Sequence, residues 1–277
     1  MRRPTAILLG TLAAMGWAPH PAAALPPLLH VFAEFPSEGL SQRPCLPTPN
    51  TKLLDGETEG FAARTRTNPT YGLPGWTRGQ GGRFHKGVDI LPISYERSSQ
   101  TVCIEYYDPR TSRSFSRNEP VLIPRDEIYA VLDGKVAVVN PRSERSGYGR
   151  YIMIEHHFRD GSPFISMYAH LEGVEVEEGQ AVHRGDRIGL MGCTSSKSVG
   201  RRYLMAIPHC HFEVGRVIDQ GFASTKGARA LSPPMLGGKY DPRNIQPYDP
   251  IAFFREFRAQ SCSAAMLTKA NPPLRDN

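Results

Sequence analysis

Cysteine and tryptophan are scarce in this 277-residue sequence, at five and two residues. None of the five cysteines (Cys45, Cys103, Cys193, Cys210, Cys262) stands in a CxxC pair, which argues against a thiolate zinc cluster or a dithiol redox motif. After the first thirty residues no stretch approaches the roughly 20 apolar residues that cross a bilayer, so no membrane span is expected. Internal repeats, low-complexity tracts, a phosphate loop and a dinucleotide fingerprint are also missing. Neither sign of charge dominates: the formal net charge is +6, and no nucleic-acid partner is expected from it. Glycine and proline, by contrast, are abundant at 26 and 25 residues. Such a load of turn formers argues against a helical bundle or coiled coil.

The first residues have the pattern of an export signal. Met1-Arg2-Arg3 is positive, Ala6 to Ala18 is apolar but short, and Ala22-Ala23-Ala24 offers the small residues a signal peptidase reads. Pro19 and Pro21 interrupt any helix where a membrane anchor would have to continue. Residues 1–24 are therefore expected to be a signal peptide, and the protein to be periplasmic or secreted. Loss of Arg2 and Arg3 would take the net charge from +6 to +4. An oxidising compartment allows at most two disulfides among five thiols. Cys193 and Cys210 flank one loop and are the first expected pair.

Downstream, residues 25–80 are rich in Pro, Thr, Gly and Arg and are expected to form a loop-rich arm. Strand-like runs follow at Gly87 to Leu91, Ile128 to Leu132, Lys135 to Val139, Tyr151 to His156, Phe164 to Ala169, Arg187 to Met191 and His209 to Val214. Asp133-Gly134 between two of them has the composition of a tight hairpin turn. Short strands without a βαβ rhythm predict an all-β domain over 81–245. Residues 92–125 are polar and are expected to be an irregular insertion. Asp249-Pro250 opens a short predicted helix at the head of a C-terminal helix and tail, 246–277.

Two histidine motifs carry the chemistry. His85-x-x-x-Asp89 enters a strand, where residues four apart share a face. His209-x-His211 places two imidazoles on one face, with Cys210 on the other. Imidazole and carboxylate suit zinc, and a catalytic zinc takes three protein ligands while keeping a position open. Each motif alone is a weak signal; together they favour one metal site over polar surface.

His85-x-x-x-Asp89, Tyr168-Ala169-His170-Leu171 and His209-x-His211-Phe212-Glu213 together resemble the signatures of the M23 metallopeptidases, the LytM- or lysostaphin-like zinc endopeptidases that cut peptidoglycan peptides. Ala130 to Val136, Gly147 to Tyr151 and Val174 to Gly189 resemble the segments between those signatures. The likeness covers about residues 84–215. It implies an antiparallel-sheet groove holding one Zn2+ per chain on His85, Asp89 and His211, with His170 and His209 as the catalytic pair outside the metal's ligands. It also implies peptidoglycan peptides as the substrate, met by a monomer. Which of the two histidines is the base stays open at this stage. A second implied reading is a non-catalytic member of the fold that binds the wall or activates another hydrolase.

The sequence departs from the family in two places: the 92–125 insertion and a long basic loop from Ser195 to Pro208. Both are expected to reshape the rim of the groove. Among the remaining histidines, His156 and His157 are expected to be structural or to support a ligand, and His183 to be solvated. Tyr168 is expected to be a buried sheet tyrosine.

Overall fold

The computed structural model describes residues 30–62, 70–78, 81–108, 111, 113–196, 208–218, 240 and 244–262. The predicted signal peptide and residues 197–207 of the basic loop lie outside them. No helix among the described residues is long and apolar enough to cross a membrane.

The protein is all-β and antiparallel, with few helices. Its centre is a seven-stranded sheet in which β11 (Ala181–Val182), β7 (Gly134–Asn140), β8 (Arg150–His157), β9 (Pro163–Leu171), β13 (Cys210–Val217) and β14 (Ile245–Tyr248) are neighbours in that order. Strand β3 (Val88–Ile90) also pairs with β13. A three-stranded sheet is formed by β10 (Gly173–Val174), β12 (Arg187–Leu190) and β6 (Glu127–Tyr129). Two hairpins complete the strands: β1 (Gly75–Arg78) with β2 (Arg83–His85), and β4 (Tyr95–Asp108) with β5 (Arg113–Pro124). Helix α1 (Thr58–Phe61) lies in the lead-in.

The period-2 rule explains both faces of the large sheet. Ile152 and Ile154 of β8, Phe164 and Tyr168 of β9, and Phe212 and Val214 of β13 point into the main core. Tyr151, Met153, Ile165, Met167 and Ala169 form a second cluster on the opposite face. His211 and Glu213 alternate with Phe212 and Val214, so they share that second face. Helix α2 (Pro250–Glu256) seals the main core with Phe253 and Phe254. Burying each such aromatic ring contributes about 1.5–3 kcal/mol. Its start follows the sequence expectation: Asp249 accepts bonds from Ile251 N at 2.8 Å and Ala252 N at 3.1 Å, with Pro250 in the first turn.

Three expectations need correction. Residues 95–108 and 113–124 are not irregular: they form the long β4–β5 hairpin, paired from Tyr95↔Pro124 to Asp108↔Arg113 with one irregularity in register. Asp133-Gly134 does not close a hairpin, because β6 pairs with β12 while β7 pairs with β8 and β11. The chain changes sheet there, which local turn chemistry does not reveal. Cys193 and Cys210 are both buried and in no disulfide, and a disulfide joins Cys45 to Cys262 instead. The loop-rich lead-in packs on the main core. Leu40, Leu46, Leu53, Phe61 and Ala62 belong to the main core, and Ala33 N donates to Pro247 O at 2.8 Å.

A candidate metal centre on the second face of the sheet

Three adjacent strands position the site. His211 of β13 stands opposite Asp89 of β3 on one side and Ala169 of β9 on the other. His85 arrives differently from the sequence reading: it ends β2, Lys86-Gly87 interrupts the chain, and Asp89 belongs to β3. Gly87 makes that break possible. A Cβ there would meet Phe212 O at 2.4 Å and His211 Cε1 at 2.9 Å, so only glycine lets the backbone cross so close to β13.

The result is a compact cluster. Ligating atoms of His85, Asp89 and His211 all lie within 4.8 Å of one another. His211 Nδ1 is 2.9 Å from Asp89 Oδ1 and 3.1 Å from His85 Nε2, and His85 Nε2 is 3.2 Å from Asp89 Oδ1. All three residues are buried. The outward nitrogens are tied down. His85 Nδ1 donates to Leu73 O at 2.8 Å, and His211 Nε2 donates to Glu213 Oε1 at 2.8 Å. Both imidazoles therefore turn their other nitrogen toward Asp89, the arrangement by which supporting groups fix a metal-binding tautomer. Two imidazole nitrogens and a carboxylate fit zinc, with a coordination position left open.

His170 and His209 border this cluster. His209 Nε2 is 3.6 Å from Asp89 Oδ1. The His170 ring lies 4.8 Å from that of His209 and 5.8 Å from that of His211, centroid to centroid. His170 has a left-handed backbone, φ 62°, unusual for a residue with a side chain. Its own N–H donates to Tyr148 O at 2.8 Å, and its Nδ1 donates to Thr194 O at 2.7 Å. Thr194 is fixed in turn by Arg150 N, which donates to its Oγ1 at 3.0 Å, and by donation from Oγ1 to Leu171 O at 2.9 Å. A strained, over-determined residue of this kind is characteristic of functional sites.

Burial and charge oppose one another throughout. Burial resists ionisation of Asp89, yet the charges of His209 and His85 and the bond from His211 hold its carboxyl well below the usual range. For His211, burial favours the neutral ring, but Asp89 and Glu213 outweigh it and push the pKa up to about 9. Burial likewise opposes the Glu213 charge, while Lys86, His211 and Tyr148 bring its pKa down to about 2. His170 is held well below its ordinary value by burial first and then by its two histidine neighbours, so its ring is neutral.

Sequence reasoning missed two participants. Glu213 stands within a quoted motif but had no role; its spacing of two from His211 on one strand would have placed it on the same face. Arg78 had no signal at all. Its guanidinium reaches the cluster, with Nη2 donating to Asp89 Oδ2 and to His85 Nε2, the latter at 2.9 Å. His156, His183 and Tyr168 behave as expected. His156 is buried on Ser166 Oγ at 2.8 Å, the His183 side chain is 81% exposed, and Tyr168 is buried, its hydroxyl accepting from Val131 N at 2.9 Å.

Residues 122–223 match Peptidase family M23. That stretch is similar to an M23 peptidase domain. The matched stretch contains His170, His209 and His211, whereas His85 and Asp89 lie ahead of it, separated by the β4–β5 hairpin. Over 108 residues the chain is 37% identical to the peptidoglycan DD-endopeptidase ShyB of Vibrio cholerae, covering 38% of this chain and 22% of that protein. Over 72 residues it is 40% identical to the uncharacterized lipoprotein YgeR of Escherichia coli, covering 26% of each. The chain thus spans about a quarter of the length of these relatives. Among solved structures, a zinc containing peptidase from Vibrio cholerae is 30% identical, with 45% of this chain and 34% of that chain covered and a TM-score of 0.26.

Proposed function

We propose that this protein is an exported zinc endopeptidase that hydrolyses peptide bonds in the stem or cross-bridge peptides of peptidoglycan. The observation that carries the reading is the convergence of His85, Asp89 and His211, with two further histidines beside them, in a chain similar over residues 122–223 to an M23 domain. The similarity to a peptidoglycan DD-endopeptidase supports the substrate class. The signal-like first 24 residues support export.

One zinc would be held by His85 through Nε2, by the Asp89 carboxylate and by His211 through Nδ1. When bound, it supplies Lewis acidity and lowers the pKa of a coordinated water toward about 7. The remaining work belongs to the chain. Donation from Nδ1 to Thr194 O leaves His170 Nε2 with its lone pair, and the neutral ring is ready to accept a proton. His170 is therefore assigned as general base. His209, whose ring lies 4.8 Å from that of His170, is assigned to donate toward the substrate oxygen where negative charge gathers in the tetrahedral state. Glu213 holds the His211 ring, and Tyr148 donates to Glu213 Oε1 at 3.0 Å.

The test is mass analysis of fragments released from defined peptidoglycan by the protein lacking residues 1–24. Release of peptides cut at one type of bond, abolished by chelator and restored by zinc, is the expected result. Wall binding without any cleavage would replace the enzymatic reading with that of a non-catalytic member of the fold.

A further inference from the structure

The lone pairs that a metal needs at this centre are already engaged. His85 Nδ1 gives its hydrogen to Leu73 O, so Nε2 carries the ring's lone pair, and Arg78 Nη2 donates into it at 2.9 Å. The same nitrogen donates to Asp89 Oδ2. A guanidinium has donors only and cannot itself ligate a metal. It is also a permanent cation, repelled by a second cation a few ångströms away. Arg78 and a divalent metal therefore exclude one another by hydrogen-bond capacity and by charge.

Two more features bear on which occupant holds the site. Asp89 is a buried carboxylate, and a buried charge requires a partner of opposite sign. Arg78 is the guanidinium partner on Asp89 Oδ2, beside the three histidines that face the same carboxylate. Yet the Arg78 pose is incomplete: its Nε is buried and makes no hydrogen bond among the described residues, an expensive state for a charged donor. The guanidinium carbon also sits 4.5 Å from the centroid of the Tyr71 ring, and the side chain is 18% exposed. One end is anchored on Asp89, while one donor gains nothing until the side chain moves.

The geometry points to Arg78 as an internal cation that holds the metal-free centre together and withdraws when a divalent metal binds, so that it sets how tightly the chain takes its metal. This role rests on the metal reading of His85, Asp89 and His211. It assigns to the β1–β2 hairpin a part in metal loading, separate from bond cleavage.

The experiment measures zinc affinity by competition with a chromophoric chelator, and thermal unfolding with and without zinc, for the wild type, Arg78→Gln and Arg78→Ala. Removing the competing charge should tighten zinc binding by about tenfold or more. It should also lower the unfolding temperature of the metal-free protein, so that zinc raises that temperature by more than in the wild type. Unchanged or weaker zinc affinity in both variants would overturn the role. Should the variants fail to fold, the wild type still decides: the Arg78 Nε–H resonance in a 15N spectrum must shift on adding zinc, and a resonance that stays in place refutes withdrawal. Asp89→Asn separates this inference from its foundation. If the wild type takes up no zinc, or Asp89→Asn binds it equally well, the metal reading falls and the Arg78 role with it. If Asp89 is required while Arg78 is neutral in effect, only the Arg78 role falls.

Discussion

His211 donates its Nε2–H to Glu213 Oε1 at 2.8 Å, from one strand and one face, so that its Nδ1 is turned onto Asp89. A pleat of two residues thus does the work of a tautomer lock. Glu213→Gln keeps the shape but removes the charge, and Glu213→Ala removes both. Zinc affinity should fall by about 10–100-fold in the alanine variant, and by less in the glutamine variant. Chelator competition at fixed pH measures both. Equal affinities across the wild type and both variants would show that Glu213 does not orient the ring.

The two histidines outside the metal cluster should separate binding from turnover. His170→Ala and His209→Ala are each expected to retain stoichiometric zinc and to lose cleavage by about 10²–10⁴-fold. Metal content and fragment release, measured on the same samples, test this. Loss of zinc in His170→Ala would move that residue into the ligand set. Full activity in His209→Ala would remove it from the reaction.

Gly149 holds a left-handed backbone, φ 62°, where a Cβ would lie 2.2 Å from Thr194 O, the acceptor that orients His170. Gly149→Ala is therefore expected to destabilise the fold by about 1–3 kcal/mol and to reduce activity more than stability alone accounts for. Comparing activity at a temperature where both forms are fully folded isolates the second effect. Wild-type turnover there would mean that Thr194 does not control His170.

His156 is buried between Asp133 O and Ser166 Oγ, at 2.8 Å from each. Burial, the largest cause, lowers its pKa from the ordinary 6.5 to about 4. Because the folded value is depressed, the unfolded chain binds a proton that the folded chain refuses between these two values. Stability from this residue is fully present above about pH 6.5 and is lost as pH falls toward about 4, by roughly 3 kcal/mol. Denaturant titrations across that range should show the fall. In His156→Leu the slope with pH should be shallower by about one proton, whatever its absolute stability.

The Cys45–Cys262 bond joins the lead-in to the segment after α2 across 217 residues of sequence. Around it, Leu46 N donates to Gln260 O at 2.8 Å and Gln260 N to Pro44 O at 3.0 Å. Cys45→Ala with Cys262→Ala should cost about 2–5 kcal/mol of stability. Urea unfolding under oxidising and reducing conditions provides the check, because reduction should lower the wild type to near the double variant. An unchanged midpoint on reduction would mean that these backbone bonds alone hold the two ends.

By itself the sequence determined what local chemistry can encode. Alternation of apolar residues marked β8, β9, β12 and β13, and Asp249-Pro250 marked the start of α2. The H-x-x-x-D and H-x-H spacings singled out four of the histidine and aspartate positions that the structure brings together, and the family resemblance added the fifth, His170. These features are legible because strand pleat and helix capping depend on residues a few places apart. Tertiary structure decided everything that joins distant segments. Sheet pairing separated β6 from β7 across Asp133-Gly134, and long-range packing carried Cys45 to Cys262 instead of joining the cysteines that flank one loop. It folded the lead-in into the core, and it laid Arg78 across Asp89 and His85 through the β1–β2 hairpin. The physical reason is that such contacts are selected by the burial of whole faces and the pairing of buried charges, quantities that belong to the assembled fold and have no period along the chain.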